Sequence, residues 1–184
     1  MKNIIATAAA LLALSSCTSI TPQAGYRNAR GYEAGTGYQL GAGARVSEDL
    51  GPVSLEGSVM SWTDHGGEND QFVNRSTTDI ESDAVQFSAG ASVPVMSGDG
   101  WDVALGAGVA YQRSRIGVNL SYAGTYSDTA EEWTAYGELA FRRDNGLMVA
   151  LRLDESLDVG AQSVFTTDPG GRGATLLIGW TFGN

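Results

Sequence analysis

Trp101-Asp102-Val103-Ala104-Leu105-Gly106-Ala107-Gly108-Val109-Ala110-Tyr111 decides the fold, because it reads as two interleaved series. The odd positions are Trp101, Val103, Leu105, Ala107, Val109 and Tyr111; the even ones are Asp102, Ala104, Gly106, Gly108 and Ala110. A strand sends alternate side chains to opposite faces, so one face here is apolar with an aromatic at each end and the other is small or polar. Ten steps of about 3.4 Å, tilted by about 45°, rise about 24 Å, close to the apolar band that a transmembrane β-strand has to cross.

The same alternation recurs on both sides of this stretch. Tyr32, Ala34, Thr36, Tyr38, Leu40, Ala42, Ala44 and Val46 alternate with Glu33, Gly35, Gly37, Gln39, Gly41, Gly43 and Arg45. Val53–Val59, Val85–Val95, Trp133–Phe141, Leu147–Leu153 and Leu176–Phe182 repeat it, and Leu157–Ser163 gives a weaker version. Ser97-Gly98-Asp99-Gly100 and Asp144-Asn145-Gly146 are hairpin turn signals. Val118, Leu120 and Tyr122 alternate beyond the apolar band, which predicts a hairpin arm that leaves the membrane. No segment after residue 16 has helical spacing of apolar residues, and 25 glycines with four prolines favour turns and closely packed strands. The expected class is all-β, an antiparallel up-and-down transmembrane barrel of eight strands.

Residues 1–16 combine a charged Lys2 with an apolar core from Ile4 to Leu14, too short to span a membrane as a helix and suited to a signal peptide. Leu14-Ser15-Ser16-Cys17 resembles the lipobox of bacterial lipoproteins, which implies acylation of Cys17 as the mature N-terminus. Thr18 after it, where an aspartate would mark retention, favours the outer membrane by analogy with enterobacterial sorting. Cys17 is the single cysteine, so the chain forms no internal disulfide. Residues 17–30 are polar and aperiodic and read as a tether, leaving 31–184 for the barrel. From Cys17 onward there is no lysine, and ten arginines face twenty-one acids, a balance of 10 − 21 = −11 that argues against nucleic acid as a partner.

A lipid-anchored soluble binding barrel of lipocalin type would alternate too, with its apolar face around a cavity. Two observations favour the membrane. The polar face is mostly Gly, Ala, Ser, Thr and Gln, unlike a water-facing surface rich in long charged side chains. Aromatics at both ends of the apolar face (Trp101, Tyr111, Trp133, Phe141, Trp180, Phe182) suit a layer with two interfaces. On this pattern the chain resembles the small eight-stranded outer-membrane barrels of the OmpA and OmpX type, including opacity-like surface proteins. The resemblance implies an outer-membrane address, outer-membrane lipids and the barrel assembly machinery as partners, and a monomer.

With the polar face inward, Glu33, Arg45, Glu56, Glu138, Arg142 and Arg152 become interior charges in a bore that side chains fill. They must pair, because an unpaired buried charge is costly. Structural pairing is the expected reading, a gated ion path the alternative. Lipid A-modifying enzymes use barrels of this size, but His65, the one histidine, lacks the His-x-Ser pattern of the deacylases because residue 67 is glycine. No catalytic residue, cofactor or metal is expected. Asp79, Glu81 and Asp83, with Asp64, Glu68 and Asp70, read as a solvated acidic surface more readily than as a Ca²⁺ site. The functional expectation is a structural or surface-interaction barrel acting in envelope integrity, adhesion or contact through loops near 66–80 and 115–130. A lipid A-modifying enzyme or narrow channel is the alternative.

Overall fold

In a computed structural model, residues 18–28, 38–64, 78–120, 124–157 and 172–183 are described. They form eight strands: β1 (Thr18–Asn28), β2 (Tyr38–Asp49), β3 (Ser54–Asp64), β4 (Thr78–Gly98), β5 (Trp101–Leu120), β6 (Gly124–Arg143), β7 (Leu147–Ser156) and β8 (Arg172–Trp180). Each pairs antiparallel with its sequence neighbours, and β1 pairs with β8 to close the barrel.

The polar segment expected to be a tether is instead the first strand. Ile20, Pro22, Ala24 and Tyr26 face outward while Thr21, Gln23 and Gly25 are buried, so the period-two pattern is present but short and interrupted by a proline. Pro22 is accommodated at a break in the β1–β8 ladder. The register set by Ile20↔Phe182 and Gln23↔Gly179 puts Pro22 opposite Trp180, and proline has no N–H to give there. With β1 in place the parity of the barrel is regular. The three tight connections, Leu50–Val53, Asp99–Gly100 and Asp144–Gly146, lie at one end with Thr18 and Phe182; the three long connections (29–37, 65–77 and 157–171) and the short 121–123 at the tip of β5 and β6 lie at the other. Gly100 and Gly146 have φ of 76° and 94°, the left-handed conformation that such turns require. Of the strand expected at 32–46, the part before Tyr38 lies outside the described residues, as does the strand expected at 157–163 beyond Leu157.

The apolar face is the outer one. Leu105 is 50% exposed, and Leu139, Leu151, Ile178 and Phe87 are similarly open, whereas the even residues Ala104 and Ala110 are buried in the lumen. An exposed belt of this size is the surface expected where lipid is the solvent. Met60, Trp62, Ala84, Ala140, Ala150 and Leu177 form the buried apolar cluster inside.

Strands β4, β5 and β6 are 21, 20 and 20 residues long, against 9 to 12 for the others. Their outer parts stand as a three-stranded ribbon beyond the last described pairing with β3 (Thr63↔Asp83) and with β7 (Thr134↔Ser156). The sequence marks the exit: on β5 apolar residues hold odd positions as far as Tyr111 and even positions from Ile116.

Candidate functional site

The lumen gathers five of the six interior charges expected from the sequence; Glu33 lies outside the described residues. Arg45 on β2 meets Glu138 on β6 in a bidentate pair, Nη1 to Oε1 at 2.6 Å and Nη2 to Oε2 at 2.8 Å. β2 and β6 stand four strands apart in a ring of eight, so this pair is a crossbar through the bore. Arg45 Nη1 also donates to Glu56 Oε2 at 3.0 Å. The other oxygen of Glu56 accepts from Arg142 Nη2 at 2.5 Å and from the Ser92 hydroxyl at 2.6 Å. Two arginines and two glutamates thus balance in one cluster that ties β2, β3, β4 and β6 together. Arg152 Nε donates to Asp154 Oδ1 at 2.8 Å, and its guanidinium lies 3.7 Å from the centre of the Tyr136 ring. The register sets Asp102 across from Arg142 at the inner rim, where its side chain is half-buried.

A second crossbar lies nearer the other end. Arg27 on β1 donates through Nη1 to Gln112 Oε1 on β5 at 2.7 Å, again four strands away, and through Nε to Gln39 Oε1 at 2.7 Å. Its guanidinium covers the Trp62 ring at 4.2 Å, and Trp62 Nε1 donates to Gln86 Oε1 at 3.3 Å. Arg27 and Trp62 are not legible in the sequence as lumen residues, the first because β1 reads as tether and the second because it sits at the end of a recognised strand.

The small residues of the inner face are sockets. Gly41 is the register partner of Trp62, Gly43 of Met60, Gly108 of Tyr136, Gly106 of Glu138 and Gly179 of Met148. A Cβ on Gly25 would stand 2.7 Å from the Trp62 ring; one on Gly43 would meet the Val59 carbonyl oxygen first and then Met60 Sδ at 2.8 Å, and one on Gly108 the Ala89 carbonyl oxygen first and then Tyr136 Cζ at 2.7 Å. Each bulky or charged side chain leans into space that a neighbouring strand leaves empty. The two crossbars bridge a bore that eight strands leave only wide enough for side chains.

Four of the six expected interfacial aromatics come together in cross-strand pairs. Trp101 stacks on Phe141 with centroids 6.1 Å apart, and ten residues along β5 Tyr111 meets Trp133 at 5.2 Å. Trp180 and Phe182 face outward at the short-turn end. Tyr26 and Tyr38 add a further stacked pair at 5.6 Å that the alternation alone does not single out. Among the described residues no group of three His, Cys, Asp or Glu side chains is placed to hold a metal ion. Cys17 and His65 lie outside the described residues.

Comparison with known proteins agrees with this geometry. The family model described as outer membrane protein beta-barrel domain matches residues 5–182. No curated protein matches. Among solved structures the fold is similar to Neisserial surface protein A, at 13% identity, covering 92% of this chain and 98% of that one with a TM-score of 0.60. It is also similar to a major outer membrane protein from Thermus thermophilus, at 15% identity, 91% and 100% coverage and a TM-score of 0.54. The Yersinia pestis outer membrane protein Ail in a phospholipid bilayer nanodisc matches at 13% identity, 91% and 100% coverage and a TM-score of 0.52. At these identities the likeness is one of fold.

Proposed function

The chain belongs to the outer membrane β-barrel domain family and is a protein of the bacterial outer membrane, and from that premise we propose that it is a structural and surface-interaction barrel, neither an enzyme nor a pore. The β4–β6 ribbon carries this reading. In barrels of this kind the short turns are periplasmic and the long connections extracellular, an orientation that carries the ribbon beyond the outer headgroups. From Asp83 to Thr78 and from Arg115 to Leu120 each strand runs five further steps, a reach of about 17 Å at about 3.4 Å per step. A hydrogen-bonded sheet loses less entropy on meeting a partner than a loop does, so it suits contact with another surface. Opposing the channel reading, the lumen is barred at two levels, and Arg45, Arg142, Glu56 and Glu138 are committed to one another.

The test is a variant in which residues 116–128 are replaced by a two-residue turn. Cells carrying it should lose adhesion to epithelial monolayers while the barrel keeps heat-modifiable migration and the envelope keeps its detergent resistance. Unchanged adhesion would contradict the surface role. For Cys17 we propose lipidation: β1 starts at the next residue, at the periplasmic end, where an acyl chain reaches the inner leaflet. Metabolic labelling with a fatty acid should mark the wild type and not Cys17→Ser.

A further inference from the structure

The outer surface changes character abruptly on one sector of the barrel. Outward residues of β5 are apolar or aromatic up to Tyr111; the next two in the same alternation are Arg113 and Arg115, both exposed. The register sets Val85 and Glu131 beside Arg113, and Asp83 and Thr129 beside Arg115. Ser61, Asp83, Val85, Arg113, Arg115 and Thr129 outline a groove of about 280 Å³ on the outer wall, with Glu131 just beyond its edge beside Arg113. Tyr111 and Trp133, the aromatic pair of this end, lie one outward position closer to the membrane centre on the same two strands. The groove therefore opens where the apolar belt gives way to the headgroup layer.

Positive charge on the outer wall is unusual for the molecule. The chain from Cys17 onward carries ten arginines against twenty-one acids and no lysine. Of the arginines whose side chains are described, Arg27, Arg45, Arg142 and Arg152 serve the lumen and Arg143 stands at the short-turn end, which leaves Arg113 and Arg115 as the two outward ones at the long-connection end. Neither is held tightly. Arg113 Nε is 3.7 Å from Glu131 Oε1, with both side chains more than half exposed, a pair that contributes little. Arg115 makes no ion pair among the described residues, although Asp83 is its register partner.

An arginine just outside an apolar belt lays its alkyl stem along the belt and puts its guanidinium at headgroup level, where the fork matches phosphate oxygens. Two of them, two residues apart on one strand, are spaced by about 6.8 Å. We infer that Arg113 and Arg115 form a docking site for the phosphate groups of an outer-leaflet glycolipid of the lipid A class. The lipid sits against the β4–β6 face with its chains on Phe87, Tyr111 and Trp133 and its phosphorylated headgroup in the groove. Glu131 and Asp83 beside them lower the local positive potential and so keep the site from being a general anion trap. The site is independent of the surface-contact reading, since it faces the membrane plane below the ribbon.

Full-length protein folded in detergent and incubated with bis-phosphorylated lipid A tests this by native mass spectrometry. Wild-type protein should retain lipid A, and Arg113→Gln with Arg115→Gln should weaken retention about tenfold to thirtyfold, the range expected for two interfacial arginines. Arg113→Lys with Arg115→Lys should fall between, and it keeps the test usable if the neutral pair does not fold. Arg143→Gln should behave as wild type, and chemically dephosphorylated lipid A should erase the difference between variants. Equal retention by the wild type and the neutral double variant overturns the inference, as does equal retention of dephosphorylated lipid A. Displacement of bound lipid A by millimolar inorganic phosphate would assign the arginines to free anions and overturn it as well.

Discussion

Removing Glu138 while leaving Arg45 in place should cost more stability than any other single truncation in the lumen. Glu138 accepts both forks of Arg45, at 2.6 and 2.8 Å, with each side chain about 95% buried. In Glu138→Ala the cluster of Arg45, Arg142 and Glu56 changes from neutral to a net charge of +1 inside the bore. Breaking a buried pair by removing one partner costs about 3–5 kcal/mol. Glu56 still holds Arg45 at 3.0 Å, and Gly106 opposite position 138 gives water room to enter, so the lower end, about 3 kcal/mol, is expected. Replacing both partners by apolar residues, Arg45→Met with Glu138→Leu, removes the stranded charge and should recover most of that loss. Equilibrium urea unfolding in phospholipid vesicles, followed by tryptophan fluorescence, measures both. A Glu138→Ala variant within about 0.5 kcal/mol of the wild type, or a double variant as damaged as the single one, would refute the crossbar.

Gly108→Val and Gly41→Val should each destabilise by at least about 1–3 kcal/mol in the same titration, because the new side chains meet the Ala89 carbonyl and the Tyr136 ring in one case and the Trp62 ring in the other, whereas Gly137→Ala, with nothing within 4 Å of its Cβ, should be close to neutral. Leu105→Arg places a charge near the middle of the lipid-facing belt and should cost about 2–4 kcal/mol. Planar-bilayer recording of the wild type should show no steady single-channel steps, since both crossbars close the bore; steady conductance would mean that they part in the membrane.

The sequence carried the membrane strands well because period two survives wherever one face meets lipid: Leu105, Leu139, Leu151 and Ile178 are spaced by geometry that no single residue can alter. β1 was hidden because its outward series has only Ile20, Pro22, Ala24 and Tyr26, and proline reads as a break unless the ladder gap opposite Trp180 is known. Arg45, Glu56, Glu138, Arg142 and Arg152 were legible as interior from alternation alone, but their partners were not. Which charges meet depends on which strands stand opposite across the closed ring, a property of barrel closure. The glycine sockets needed the register too: Gly41 is a gap for Trp62 only once those two positions are known to pair, twenty-one residues apart in the chain. Arg113 and Arg115 precede the residues from which the alternation predicts a hairpin arm leaving the membrane, and carry no signal of their own. Their place at the lipid boundary follows from the ribbon continuing past them.

A barrel built this way round requires that the apolar face be the lipid face. Spin labels placed one at a time at positions 103 to 107, 109 and 110, in a Cys17→Ser background and in phospholipid bilayers, test it through collision with dissolved oxygen and with a water-soluble nickel chelate. Positions 103, 105, 107 and 109 should be open to oxygen and closed to nickel, while 104, 106 and 110 should be closed to both; 108 is left unlabelled because a side chain there meets Ala89 and Tyr136. Oxygen access without the period of two, or nickel access at the odd positions, would contradict a transmembrane barrel of this orientation.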